Sequence, residues 1–342
     1  MAILGAGGLG KGMAKMVTQR PGFTCVAMAD SQGYCYETGG LSVDQVLPLE
    51  TVATYPNGGM SSDQGILELL QAHGHDIDVI FMALPNFPVS FFADTVKQIA
   101  TQTPFKGVMV DALKRTTAVE KLLSEGDLLK SAGILYITGA GATPGFLTTV
   151  AAVAAQSFVE VQSVNIHFGV GVANWETYRA TIREDFLHLD GFDADKVAAM
   201  SDADVEAELE KRNGLLELVE MEHADDIILE LAGICPRDRV TVGGLVDTRN
   251  AKKPVSTTVT VTGTTLSGAV GSHQFTVSDA TTMVDNVCGP ALGFLKRGVE
   301  LFEIGQTGII TSADIMPKGA FAVESQQARQ PAAKAIAAAA AV

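Results

Sequence analysis

The first 130 residues alternate short apolar runs with amphipathic stretches, the pattern of βαβ units around a parallel sheet. Residues 2–4 read as a very short first strand. Residues 10–20 read as a helix with Met13, Met16 and Val17 on one face, stopped by Pro21 and Gly22. Residues 24–29 read as a second strand that ends at Asp30, and a loop-rich piece with many glycines and prolines follows. Further along, 63–72 is expected to be helix, 78–84 a buried strand stopped by Pro85, and 91–100 helix. Residues 108–110 read as a strand ending at Asp111, 118–129 as helix and 134–138 as a strand.

The second half has another texture. A glycine-rich stretch, GAGATPG at 139–145, opens an apolar helix at 146–158, with Pro144 suited to a first helical turn. Residues 161–168 alternate like a strand. Residues 201–231 are acidic and read as helical, with Ser201 as N-cap and Asp204 in its capping box. Residues 238–278 are rich in Val and Thr with glycines at turns, the texture of an antiparallel or mixed sheet. Residues 283–303 return to helix. The expected fold is α/β: an N-terminal Rossmann doubly wound parallel sheet over 1–140, joined to a second α+β domain over 141–282 for substrate and dimer contacts. Residues 283–330 are expected to pack back on the first domain, and 331–342 form an Ala-rich tail.

Composition narrows the function. Apolar residues make up 47% and charged residues 18%, and the formal charge is −15. That charge repels nucleic acid and anionic membranes, so neither is an expected partner. No apolar run approaches ~18 residues and no secretory leader is visible, so the expectation is a cytoplasmic protein. Cys25, Cys35, Cys235 and Cys288 form no CxxC pair and read as reduced thiols. Histidines and carboxylates show no ligand spacing, so no metal is expected, and the run Asp190–Asp195 reads as a helix-start cap and not a calcium loop.

The central motif is Gly5-Ala6-Gly7-Gly8-Leu9-Gly10, a G-x-G-x-x-G between a strand and a helix. Its first glycine makes the tight turn, its second admits a pyrophosphate, and its third lets the helix pack on the strand. The phosphates then meet free N–H groups and the positive end of the helix dipole. Asp30 stands twenty positions on, where a carboxylate binds adenosine ribose hydroxyls and repels a 2′-phosphate, which favours NAD over NADP. Leu84, Pro85 and Asn86 leave a buried strand at the edge where ligands bind and are expected to line the nicotinamide half. The alternative for them is a plain strand-to-helix turn. Asp111 is placed at the cofactor for the same reason. Lys114 is either an acid/base group or a solvated lysine at a helix start.

With these residues assembled, the chain resembles the saccharopine dehydrogenase (reductase)-like oxidoreductases, and more loosely other Rossmann dehydrogenases with a sheet-based second domain. The likeness lies in AILGAGGLG at the start, GAGATPGFLTTVAAV at 139–153 and GPALGFLKRGVELFEIGQTGIITSADIMP at 289–317. The resemblance implies an NAD(P)-dependent oxidoreductase. It would transfer hydride to or from a C–N bond of a small amino-acid-like carboxylate, in a cleft between two domains. Alternatives are a homoserine-type alcohol/aldehyde dehydrogenase and a non-catalytic NAD-binding sensor.

Substrate contacts are sought in residues 167–185. Trp175, Tyr178, Arg179 and Arg183 fall there, and the two arginines are spaced i, i+4 on one helix face. They would hold a carboxylate bidentately, or else pair on the surface with Glu176 or Asp185. Thr143 and Gly145 begin a helix whose free amides suit an anion. His167 is the second acid/base candidate beside Lys114, with a satisfied strand-end histidine as the bland reading. His188 and His223, in acidic surroundings, read as solvated. The second sheet is the expected surface of a homodimer.

Overall fold

The computed structural model describes residues 1–86, 88–278 and 280–319; the expected Ala-rich tail lies outside them. The first half runs β1 (Ala2–Leu4), α1 (Gly8–Gln19), β2 (Ala27–Asp30), β3 (Gly33–Tyr36), α2 (Val43–Val46), β4 (Gly59–Ser61), α3 (Gly65–His73), β5 (Val79–Met82), α4 (Phe91–Gln102), β6 (Val108–Asp111), α5 (Thr116–Leu123), α6 (Gly126–Ala132) and β7 (Leu135–Thr138). Then come α7 (Phe146–Ala155), β8 (Glu160–Gly171), α8 (Arg179–Asp185), α9 (Ala194–Ala199), α10 (Asp202–Lys211), β9 (Leu215–Leu218), α11 (Asp225–Leu231), β10 (Val240–Asp247), β11 (Thr257–Thr264) and β12 (Val270–Val277). The chain closes with α12 (Met283–Glu303) and β13 (Gly308–Thr311).

Eight strands form the first sheet in the order β13-β7-β6-β5-β1-β2-β3-β4. The six from β13 to β2 are parallel, and β3 and β4 extend the edge antiparallel. Side chains alternate across the sheet, so Leu4 and Met82 enter the core on one face while Ile3 and Phe81 enter the core on the other. Both faces are covered, which is why these strands read as unbroken apolar runs. The second sheet, β12-β11-β8-β10-β9, is mixed, with only β8 and β10 parallel. Its inner face packs on α7 and on the segment from Trp175 to Leu209 in a third core. The fold is therefore a doubly wound Rossmann sheet with a second α+β unit. α12 lies beside α1 on the first sheet, and β13 pairs with β7.

Three stretches differ from the pattern reading. The loop-rich piece after Asp30 contains β3 and β4, and the pairing of β3 with β2 and of β4 with β3 defines them more than their own composition does. Residues 201–231 are not one helical stretch. Leu216 and Leu218 point inward and Leu215 and Glu217 outward, and this period of two makes β9 against β10. The expected helix at 118–129 is split into α5 and α6 around Ser124 and Glu125. Ser201 does cap α10 through a reciprocal box with Asp204, and Asp193 caps α9.

The turn after β1 is fixed by two glycines. Gly5 has a φ of +104°, and a Cβ on Gly10 would stand 1.8 Å from the Gly5 carbonyl oxygen. Backbone meets backbone there, so no rotamer change relieves the clash. Gly10→Ala is expected to lower unfolding stability by about 3 kcal/mol, the upper end of overpacking costs. Gly7, with no atom within 4 Å of a built Cβ, accepts alanine without loss. Denaturant titration of both variants checks this; equal stability of Gly10→Ala and the parent contradicts the close packing.

Candidate active site

A cleft of about 1630 Å³ opens at the carboxyl edge of the first sheet and runs under the second. Its floor is the glycine turn (Gly5 to Leu9) with Asp30, and one wall is Leu84, Pro85 and Asn86. The opposite wall comes from α7 and β8 and is apolar, with Phe146, Leu147, Phe168 and Val170. Open space above Gly7 and the free amino end of α1 fit a dinucleotide pyrophosphate. Gly10 does not face the cleft and acts through packing alone. Asp30 lines it, but its carboxylate is already oriented by Val52 N at 2.8 Å, Gln32 N at 2.8 Å and Thr51 Oγ1 at 3.0 Å.

Two clusters of ionisable groups meet at the far end. In the first, Lys114 Nζ lies 2.9 Å from Asp185 Oδ1 and 3.5 Å from Glu184 Oε2. Arg115 Nε donates to Glu184 Oε1 at 3.1 Å, and its Nη1 reaches Glu222. Asn86 Nδ2 donates to Glu184 Oε2 at 2.7 Å, and Thr117 donates to Glu222 through both N and Oγ1. Burial alone would lower the Lys114 ammonium, yet the Asp185 and Glu184 carboxylates outweigh it and hold its pKa above the ordinary lysine value. Lys114 therefore stands as an ammonium, not a free amine. Burial raises the Asp185 carboxyl, with Lys114 and more weakly His223 pulling it back.

The second cluster is a histidine–aspartate pair. His223 is 3% exposed and lines the cleft, and its Nδ1 lies 2.7 Å from Asp225 Oδ2. Asp225 is fully buried and also accepts from Thr143 Oγ1 at 2.6 Å and from Thr148 Oγ1. Three partners fix this carboxylate, so Nδ1 is the ring nitrogen turned to Asp225 and Nε2 is the one not engaged by it. This arrangement overturns the solvated reading of His223. His188 is half-buried as well, and burial together with the positive charge of Lys114 and Arg115 pushes it down to about 4.

Several expected site residues are placed elsewhere. His167 points outward from β8, opposite Gly243 and Thr258, on the face away from the cleft, so it is not the acid/base group. Alternation puts Phe168 inside and its neighbour outside. Asp111 is fully buried below the cleft, bonded to Thr138 Oγ1, Gly139 N and Leu113 N, and burial pushes it up to about 6. It shapes the strand end and touches no ligand space. The Gly145 amide donates to Thr148 Oγ1 at 2.8 Å, so it is not a free anion donor, and Thr143 serves Asp225 through its hydroxyl.

Trp175 is core, its Nε1 donating to Glu206 Oε2 at 2.7 Å. Arg179 and Arg183 do face the cleft, but both guanidinium groups pair with Asp202, and Arg183 also caps the carbonyls ending α9. Asp185, an expected surface partner of Arg183, pairs with Lys114 instead. Tyr178 lies against Gly8 at the glycine turn. Glu184, Asp185, Glu222 and the His223–Asp225 pair were missed because their partners lie 69 or more residues away or looked like ordinary acidic surface. The signals present were the tandems Lys114-Arg115 and Glu184-Asp185 and the spacing His-x-Asp. All four cysteines are free and buried, and burial raises every thiol, to about 12 at Cys288, which leaves none activated.

No protein-family model matches the chain. A curated protein of Haloferax mediterranei, (S)-8-amino-7-oxononanoate synthase BioU, is 39% identical over 347 residues, spanning 92% of this chain and 98% of its own length. The chain belongs to the BioU family. Among solved structures, it is similar to a meso-DAPDH mutant of Clostridium tetani E88 with DAP, at TM-score 0.55 and 12% identity over 92% of this chain and 93% of that one. It is also similar to the DAP dehydrogenase of C. glutamicum in complex with DAP, at TM-score 0.54 and 15% identity over 92% of each chain. Those two likenesses agree with the fold described above, a Rossmann sheet joined to a second α+β unit.

The BioU relationship brings two corrections. The finer likeness to saccharopine dehydrogenase-like proteins gives way to this family: of its three motifs only the first is specific, and that one is a Rossmann turn. The Haloferax relative is named a synthase, and this overturns the expected enzyme class of NAD(P)-dependent oxidoreductase. A glycine turn reports a dinucleotide groove and not a net reaction.

The depressed His188 makes a pH prediction. Its folded value of about 4 lies below the ordinary 6.5, so the charged form favours the unfolded chain. Its contribution to stability is complete above about pH 6.5 and is lost as pH falls toward 4. Urea unfolding of the parent and of His188→Gln between those limits should show the parent losing stability more steeply on acidification. Parallel pH profiles contradict the assignment.

Proposed function

We propose that this chain is an (S)-8-amino-7-oxononanoate synthase of the BioU type, working in the cleft between the two sheets. The supporting observation is the meeting there of three parts: the glycine turn, the Lys114 cluster and the His223–Asp225 pair. A non-catalytic sensor would need only a closed apolar surface beside the dinucleotide. The named compound has a ketone beside an amine on a long carboxylate chain. Its reacting carbons need proton donors and acceptors, and its methylenes need an apolar wall. The cleft offers both, the wall being Phe146, Leu147, Phe168 and Val170.

The residue roles follow from the geometry. Lys114, held as an ammonium, donates a hydrogen bond to the ketone oxygen and stabilises the negative charge that develops there. His223 Nε2 takes the proton that an amine must lose before its lone pair enters a C–N bond; Asp225 stabilises the imidazolium that results. Asn86 and Arg115 keep Glu184 in place, so the Lys114 ammonium is held between two carboxylates. The glycine turn, with Leu84 and Pro85, would hold a nicotinamide dinucleotide beside the reacting carbons. Asp30 keeps a negative charge where a 2′-phosphate would lie, which supports NAD over NADP.

Two experiments test this reading. NAD(H) at a hundred times its Kd should stabilise the fold by ~2.7 kcal/mol, and Gly7→Val should abolish that shift; no shift with NAD(H) or NADP(H) contradicts dinucleotide binding. A synthase also catalyses the reverse of its last step, so mass spectrometry of the protein with dinucleotide and its product (S)-8-amino-7-oxononanoate should show a dinucleotide-dependent change in that compound. His223→Asn and Lys114→Met should each slow it by ~10²–10⁴-fold. A compound left unchanged by the parent protein contradicts the proposal.

A further inference from the structure

Between β8 and α9 the chain crosses the cleft as a strap. Its two ends are held in the second core, one by buried Trp175 and the other by fully buried Phe186. Its middle touches the first sheet at two places. At one, the Tyr178 ring rests on the glycine turn: a Cβ built on Gly8 would lie 2.5, 2.8 and 3.0 Å from three of its ring atoms. At the other, α8 delivers Glu184 and Asp185 to Asn86, Arg115 and Lys114.

Gly8 is the first residue of α1, at the end where dinucleotide phosphates collect. The space over Gly7 is open, so Tyr178 flanks the phosphate path and does not fill it. Its hydroxyl makes no hydrogen bond among the described residues, although the residue is half-buried and lines the cleft. A half-buried phenol beside a helix N-terminus is a donor without an acceptor, and a phosphate oxygen is an acceptor that needs donors.

We propose that Tyr178 is a positioning residue for the dinucleotide: its ring walls the pyrophosphate slot at Gly8 and its hydroxyl donates to a phosphate oxygen. This rests on the reading of the cleft as a dinucleotide site. It moves Tyr178 from the substrate to the cofactor. It also gives the strap one task at both contacts, since the segment that seats the phosphates also sets the carboxylates around Lys114. The positions of Gly8 and Tyr178 are complementary, because any side chain at Gly8 would displace the ring.

The test is titration of the full chain and of Tyr178→Phe with NADH and with ADP-ribose. Phenylalanine keeps the ring and removes only the donor, and one charge-assisted hydrogen bond corresponds to about a tenfold change in Kd. Both ligands should weaken by about tenfold in the variant, with unfolding stability unchanged, because they share the pyrophosphate. Tyr178→Ala should weaken both further. Equal Kd values for parent and Tyr178→Phe overturn the inference while leaving the dinucleotide reading in place. A variant that binds (S)-8-amino-7-oxononanoate more weakly at constant dinucleotide Kd overturns it too and returns Tyr178 to the substrate side of the cleft. A parent chain that binds neither ligand overturns both readings.

Discussion

The contact on which the site depends is the buried ion cluster that joins the two sheets. Lys114 and Arg115 leave the carboxyl edge of the first sheet, while Glu184, Asp185 and Glu222 come from the second unit. Ions taken out of water are costly unless each is paired, and removal of one partner costs ~3–5 kcal/mol. Arg115 and Glu184 are both almost fully buried, so neither unit can drift without stranding a charge. The cluster thus specifies how the strap lies across the cleft, and through the strap it places Tyr178 on Gly8. A well-packed apolar contact would join the units as firmly. It would not leave an ammonium at the end of the cleft.

The same physics governs the histidine pair. Asp225 is buried completely and survives as an acceptor because His223, Thr143 and Thr148 all bond it. Thr143 and Thr148 belong to the start of α7, and His223 and Asp225 to the start of α11, so the pair stitches two helix ends together below the cleft. This buried carboxylate is tolerated because three partners satisfy it, and the part of the His223 ring that lines the cleft is what remains for chemistry.

Much of the fold was legible because its code is local. Alternation and apolar runs marked β5, β6, β7 and β8 within a few residues, and the glycine spacing marked the turn after β1. What stayed hidden depends on distant partners. β3 is a strand because β2 offers it an edge, β4 because β3 does, and β9 because β10 does. The site divides in the same way. Gly5, Gly7, Gly8, Leu9, Leu84, Pro85, Asn86 and Lys114 were readable from strand ends and a motif, and all line the cleft. His223 and Asp185 were not, since a buried dyad and a surface acid look alike in one dimension. His167 failed through a shift of one residue along a strand, which turns a side chain to the other face of a sheet. The reaction class was the least legible feature, because a glycine turn describes what is held and not what is made.

The most direct test of the account is a crystal structure of the chain with NADH and (S)-8-amino-7-oxononanoate. The account predicts the pyrophosphate over Gly7 beside the Tyr178 hydroxyl. It places the amino-ketone carbons between Lys114 Nζ and His223 Nε2, with the methylene chain along Phe168 and Val170. A dinucleotide bound away from the glycine turn, or an amino ketone out of reach of both Lys114 and His223, would contradict it.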